Sequence, residues 1–304
     1  MILQIFTMSL IAFILLILKI SIFLSVFALG LKASFADATF FWHPPREIGR
    51  AFLAMNLLMP AVAFLLAVTF HLNPAVKIAL VTVSVSPVPP VFQKKALKIG
   101  CKGNYAVGLL VATGLFSIVV IPATMEIFRL VTGVPLHMFA GSVAEIVLVT
   151  ILLPLLGGIA VRKLAPLFAE RASPIIGFVA SLLLVVGFLP VLFTAAKTML
   201  SLVGNGTLFS LSLFAISGLL MGLLIGHFLG GPDPENRSVL ALAAATRHPG
   251  IAVANAQANF PVQKLAVPAV FLYTVVGAIL AGLYFRLTAH KKTSFAEALR
   301  QVVA

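Results

Sequence analysis

Apolar segments of membrane-spanning length recur along the whole chain. A transmembrane helix needs about 20 apolar residues, and segments of roughly that length lie between clusters of charged residues, Pro and Gly. They occupy residues 2–31, 47–70, 75–99, 104–129, 138–161, 174–196, 208–230, 238–259 and 264–287. Backbone polar groups must be paired inside hydrocarbon, and the segments are too long for the strands of a barrel. The sequence therefore predicts an all-α polytopic membrane protein with about nine transmembrane helices.

The composition excludes a soluble protein and a nucleic-acid-binding one. Hydrophobic residues make up 61% of the 304 residues and charged residues only 10%, too few to cover a soluble surface. The net charge of +13 comes from basic residues between the apolar segments, where they contact membrane lipid headgroups. We expect a single membrane domain over residues 1–304, with no nucleic-acid partner. Cys101 is the only cysteine, and no spacing typical of a metal site or other cofactor is present.

The basic residues also predict the orientation. Of the 21 Lys and Arg residues, fifteen fall in alternate loops on one side, four fall on the other, and Lys19 and Arg247 lie inside segments. The richer side is cytoplasmic, which places the N-terminus outside and the tail at 289–304 in the cytoplasm. The setting expected is a bacterial inner membrane or an equivalent plasma membrane. Residues 2–31 form either one long tilted helix or two short helices that meet near Lys19.

Two of the nine segments are interrupted. In the third, Pro87, Pro89 and Pro90 remove three backbone donors within four residues. In the eighth, Arg247 and His248 precede Pro249-Gly250. Ionisable residues inside a span mark functional sites by default, although unrelated proline kinks are the plain alternative. Matching interruptions in two halves predict inverted repeats, about 1–130 and 138–288, whose broken helices cross near the bilayer midplane.

The residues around these breaks resemble the bile acid:sodium symporter family, within the bile/arsenite/riboflavin transporter group. The resemblance rests on Phe27-Ala-Leu-Gly-Leu-Lys32, on Met59-Pro60-Ala61, on Ser86-Pro87 where the family has Cys-Pro, and on the small residues from Gly250 to Ala258. It implies a panel domain and a core domain, with the two broken helices crossing in the core. Family members with nine spans lack the first helix of the ten-span forms.

The departures from the family pattern argue against sodium coupling. Where the family has a Ser-Asn pair of sodium ligands, the simplest register gives Phe92 and Gln93. Its sodium-binding Glu falls on Ala243, its Gln-Asn pair on Arg247 and His248, and a further Gln has only Asn56 nearby. A hard cation prefers several oxygen ligands with a carboxylate, and no Asp or Glu lies near either break.

The basic residues at the breaks support three interpretations. Arg247 replaces the relatives' sodium ion and holds the unwound carbonyls; or Lys94, Lys95, Arg247 and His248 bind an anionic substrate; or the two lysines only snorkel to the cytoplasm. His248 either titrates and couples protons or is a satisfied buried histidine. The remaining polar or helix-breaking candidates for the substrate and ion pathway are Asn56, Ser84, Ser86, Pro87, Gln93, Thr113, Ser117, Asn255 and Gln257. Asn255 and Gln257 lie on different faces of a helix, and Ser or Thr hydroxyls in membrane helices usually bond their own backbone.

These features predict a secondary transporter that moves a small organic anion by alternating access, coupled to protons or to no ion rather than to sodium. An uncoupled channel or facilitator and a non-transporting sensor are the alternatives. An intramembrane protease is disfavoured, because no aspartate lies inside a span and a Ser–His pair would need Ser84 or Ser86 to meet His248.

Overall fold

The fold is known from a computed structural model. It describes residues 2–42, 45–89, 92, 103–132, 140–204, 206–228, 234–260 and 262–303. Within these ranges the regular structure is entirely helical, which confirms the predicted all-α membrane fold.

Ten main helices follow one another, and each of the nine predicted segments overlaps at least one of them. They are α1 (Ile2–Gly30), α2 (Pro45–Thr69), α3 (Pro74–Ser84), α4 (Gly103–Thr132), α5 (Ala140–Val147 continuing through Leu148–Leu152 and Leu153–Leu164), α6 (Pro166–Ser201), α7 (Thr207–Phe228), α8 (Pro234–Ala245), α9 (Pro249–Asn259) and α10 (Ala266–Val303). Six of them contain a stretch long and apolar enough to cross a membrane, in α2, α4, α5, α6, α7 and α10. The eighth predicted segment is two half-helices, α8 and α9.

Three predicted boundaries differ from the structure. α1 is a single helix that passes through the exposed Lys19, so the two-helix alternative is wrong. α6 begins at Pro166 and not at 174, because a proline is well placed in the first turn of a helix and Pro174 is tolerated inside it. α10 continues through the predicted tail to Val303.

Two sets of contacts organise the packing of the helices. α1 lies against α5 and α6, and two serines tie α1 to α6: Ser21 Oγ donates to the Ala180 carbonyl at 2.7 Å and Ser173 Oγ to the Ala28 carbonyl at 2.9 Å. The largest hydrophobic cluster joins residues of α2, α3, α4 and of the helices α6 to α10. The panel and core domains and the inverted repeats stay predictions, because packing alone does not test them.

Small residues allow two close helix crossings. α7 forms a hairpin with α8, and a Cβ added at Gly222 would lie 2.8 Å from the Ala241 nitrogen. At the contact of α5 with α1, a Cβ at Gly158 would lie 2.8 Å from the Gly30 Cα. Small residues at such contacts are typical of membrane helices that pack by close backbone approach.

We predict that Gly222→Leu destabilises the protein and that Gly282→Leu does not. The added side chain at Gly222 meets the backbone of α8, so the two helices must move apart. We expect this to cost about 1–3 kcal/mol or more of stability. Gly282 of α10 has open space around it, which makes it a matched control. Thermal unfolding of the detergent-purified variants tests this, and equal midpoints would contradict the proposed tight α7–α8 contact.

Candidate functional site

The first break follows α3, because carbonyls at and just after the end of this helix have no N–H donor four residues later. α3 ends at Ser84, and residues 86–89 are not helical. The residue four positions after Val83 is Pro87, and the residue four after Ser86 is Pro90, so neither can donate an N–H. The Val83 carbonyl accepts instead from Ser86 N, at 3.0 Å, in a tighter turn. The Ser86 carbonyl is left without a partner from its own helix.

The second break lies between α8 and α9. α8 ends at Ala245, and α9 begins at Pro249, with His248 as its N-cap. His248 Nδ1 accepts a hydrogen bond from Ile251 N at 3.3 Å. The interruption is therefore Thr246–His248. Pro249 and Gly250 were expected to disrupt a helix, but the structure shows that they start one.

The two breaks are in direct contact. His248 N donates to the Pro87 carbonyl at 2.9 Å. In a continuous helix this N–H would donate to the Ala244 carbonyl, four residues earlier. The contact therefore links the end of α3 to the start of α9 and leaves the Ala244 carbonyl in need of another donor.

The Arg247 side chain supplies that donor and two more. It is buried, with 4% of its surface exposed, and its nitrogens donate to carbonyls of three segments. Nε donates to Ala244 at 3.1 Å, Nη1 to Ser86 at 3.1 Å and Nη2 to Met55 at 3.0 Å. One guanidinium thus joins α8, the first break and α2.

The Met55 carbonyl is available because of the local winding of α2. Residues Leu53–Leu58 form a π-helix, in which a carbonyl accepts from the residue five positions later. For Met55 that residue is Pro60, which has no N–H. π-helical turns are frequent at functional sites, and this one directs a carbonyl of α2 toward the two breaks.

Tyr273 of α10 supplies a hydrogen-bond donor to a further backbone carbonyl at the second break. Its hydroxyl donates to the Ala245 carbonyl at 2.6 Å, which would otherwise accept from residue 249, a proline. The residue is buried, with Phe214 packed against its ring at 5.3 Å between centroids. Sequence reasoning missed Tyr273; its signal was a phenol inside an apolar span, in a chain with only three tyrosines.

Three buried side-chain nitrogens near the breaks have no hydrogen-bond partner among the described residues. They are Asn56 Nδ2, His248 Nε2 and Asn255 Nδ2. Because His248 Nδ1 accepts a hydrogen bond, the ring carries its proton on Nε2, which makes Nε2 a donor. The Asn255 Oδ1 accepts from Asn259 Nδ2 at 2.7 Å, which assigns the free position to its NH₂. All three are therefore donors.

The other residues predicted for the substrate and ion pathway are bonded within their own segments, differ in burial, or lie outside the described residues. The hydroxyls of Ser84, Ser86, Thr113 and Ser117 donate to backbone carbonyls of their own segments, at 2.6–2.8 Å. Asn255 is buried and Gln257 is exposed, as their spacing requires. Gln93, Lys94 and Lys95 lie outside the described residues, so the proposed four-residue basic cluster is not tested. Among the described residues, no group of three or more His, Cys, Asp or Glu could hold a metal ion.

Comparison with known proteins identifies the family. The sequence profile of the sodium bile acid symporter family matches residues 19–205, more than half of the chain. The protein belongs to the sodium bile acid symporter family. The match includes the first break and ends before the second, so Arg247 and His248 lie outside the part that the family profile covers.

One curated protein with a similar sequence carries the name of a cotransporter. It is the "Probable sodium/metabolite cotransporter BASS2, chloroplastic" of Oryza sativa subsp. japonica, 29% identical over 160 residues. The aligned stretch is 52% of this chain and 38% of the rice protein, so the chain matches well under half of that relative's length. The symporter family and this relative support the assignment to membrane transport proteins.

We predict that Tyr273→Phe lowers the stability of this family member and that Thr274→Val does not. The phenylalanine leaves the Ala245 carbonyl buried without a donor, at about 1–3 kcal/mol. The Thr274 hydroxyl only bonds the Val270 carbonyl of its own helix, which makes it a neighbouring control. Thermal unfolding measures both, and an unchanged midpoint for Tyr273→Phe would show that the hydroxyl is not needed at the break.

Proposed function

We propose that the protein is a secondary transporter that moves a small organic anion across a membrane by alternating access. Membership of the symporter family and the name of the rice relative support transport of a solute. The described helices support a multi-pass membrane location. The observation that carries the choice of an anion is the chemistry of the site.

The site offers hydrogen-bond donors and positive charge. Asn56 Nδ2, His248 Nε2 and Asn255 Nδ2 are buried donors that no described residue satisfies. A buried donor without a partner costs about 1–3 kcal/mol, and a substrate rich in acceptors would recover that energy. Arg247 adds a buried positive charge at the breaks, and the first turn of α9 presents a positive helix end. A carboxylate matches all of these, whereas an organic cation would meet like charge.

Sodium is a poor fit to this site. The resemblance to the family places its sodium ligands at Phe92, Gln93, Ala243, Arg247 and His248, and none of these is a carboxylate. Phe92 and Ala243 are packed in the hydrophobic core. We therefore propose transport that is coupled to protons, through His248, or to no ion.

The packing supports a moving unit that contains both breaks. The hydrogen bonds of Arg247, His248 and Tyr273 tie α2, α3, α8, α9 and α10 together. The two serine bonds hold α1 to α6 in a separate group. Alternating access would then move the first group as one body against the second.

An uptake assay in proteoliposomes tests the proposed function. We predict saturable uptake of at least one radiolabelled carboxylate from a panel that contains pyruvate, succinate, glutarate and benzoate, and none of the corresponding neutral amides. Uptake is measured with Na⁺, with K⁺ in its place, and with an imposed pH gradient. We expect equal rates in Na⁺ and K⁺. Uptake that requires a Na⁺ gradient would contradict the proposal that transport is not coupled to sodium. Flux that rises without saturation would indicate an uncoupled facilitator.

A matched pair of substitutions on α9 tests the donor site. We predict that Asn255→Asp lowers carboxylate uptake about tenfold or more, because it replaces an NH₂ donor with a negative oxygen, and about 1.4 kcal/mol of lost binding already gives tenfold. Gln257→Glu introduces the same charge on the same helix at an exposed position and should leave uptake nearly unchanged. Equal uptake by both variants would remove Asn255 from the site.

A further inference from the structure

We propose that the meeting point of the two breaks is a cation site built from backbone carbonyl oxygens, and that the Arg247 guanidinium fills it as a tethered cation. Without that side chain, the same oxygens would bind a free guanidinium or a small monovalent cation. The inference deepens the proposed function, on which it rests for its meaning in transport, by naming what stands in place of a coupling ion.

The oxygens of the site are the carbonyls of Met55, Ser86 and Ala244, which we call the carbonyl cage. Their three distances to Arg247 nitrogens are 3.0–3.1 Å. Each carbonyl lacks its helical donor for a reason found in the sequence. Pro60 and Pro90 remove the donors to Met55 and Ser86, and the donor to Ala244 is used by the Pro87 carbonyl. These three carbonyls therefore lack helical donors whether or not Arg247 is present.

The electrostatics of the carbonyl cage favour a positive charge. Ala244 lies in the last turn of α8, and Ser86 follows the end of α3, so two half-helices direct their negative ends at the site. Backbone carbonyls can replace the hydration shell of a monovalent cation, and unwound carbonyls at half-helix C-termini coordinate such ions in transporters. Among the described residues, all three hydrogen bonds of Arg247 go to carbonyl oxygens and none goes to a carboxylate. Within that part of the chain, its charge is therefore met by backbone dipoles.

A tethered cation differs from a bound ion in one respect that matters for transport. A bound ion can leave on the other side of the membrane, and its gradient can then drive the substrate. The Arg247 charge stays in the carbonyl cage in every state of the cycle. An ion gradient therefore cannot be coupled through this site.

A simpler role for Arg247 is that of a hydrogen-bond staple, in which only its N–H donors matter and its charge does not. Substitutions separate the two roles. Arg247→Lys keeps the charge, Arg247→Gln keeps amide donors without charge, and Arg247→Met keeps an unbranched side chain about as long as that of Gln with neither. The tethered-cation proposal expects stability in the order Lys, then Gln, then Met. The staple expects Gln to be at least as stable as Lys.

Cation rescue of Arg247→Ala is the direct test. We expect its thermal midpoint to fall by about 10 °C or more, because a buried site loses several interactions at once. Millimolar methylguanidinium or Na⁺ should restore part of the loss in a concentration-dependent way. The bulky N-methylglucamine cation at the same ionic strength should not. The wild type and Arg171→Ala, at an exposed position of α6, should show no such cation-specific shift.

Each outcome decides the proposal. Selective rescue of Arg247→Ala by a small cation supports it. A folded Arg247→Ala variant that no cation stabilises overturns it, as does a wild type that Na⁺ stabilises equally. If Arg247→Ala cannot be purified folded, the Lys and Gln variants decide, and Gln at least as stable as Lys overturns the proposal. The thermal measurement needs no substrate. A negative result there would therefore not contradict the proposed transport function, and an absence of uptake would not contradict the cation site.

Discussion

The three hydrogen bonds of the Arg247 guanidinium are the contact on which the centre of this structure depends. A bilayer offers no water to a broken helix, so each carbonyl that loses its helical donor must find another. Here the carbonyls of Met55, Ser86 and Ala244 find the same one. Three separate irregularities, a π-helical turn in α2 and the interruptions after α3 and α8, are thereby satisfied by a single side chain. Without it, all three would be left with buried, unpaired oxygens.

The neighbouring contacts follow the same rule. His248 N leaves its own helix to pair with Pro87, and the Tyr273 hydroxyl replaces the donor that Pro249 cannot supply to Ala245. The second break supplies the donors to Met55, Ser86 and Pro87, and α10 supplies the donor to Ala245. Pairing the broken helices therefore also fixes their positions relative to α2 and α10. The features that make this region irregular are the ones that hold it together. Mechanically, this favours movement of the whole assembly over bending at the breaks.

The sequence was sufficient for the features that rest on composition and on local backbone chemistry. Apolar length located the spans, and Pro87 and Pro249 located the two breaks. An ionisable residue in an apolar span drew attention to Arg247. The sequence could not give the partners of that side chain, because Met55 lies 192 positions away and becomes available only through the π-helical winding before Pro60. Tyr273 was missed for the same reason. The start of α6 was misplaced because Pro174 was treated as a boundary, although a long membrane helix accommodates it.

The use of arginine, and not lysine, follows from the geometry of the carbonyl cage and bears on the substrate. Three acceptors from three segments are each met by a separate nitrogen of the planar guanidinium, whereas a single ammonium would keep the charge with a less exact fit to the three oxygens. The group has five N–H donors, of which the carbonyls take three. One N–H on Nη1 and one on Nη2 are left without a partner among the described residues. They join Asn56, His248 and Asn255 as donors for an acceptor-rich ligand. The two roles considered for Arg247, tethered cation and anion binder, are therefore compatible: the bonds to the cage use three of its five N–H donors, and the other two have no partner among the described residues.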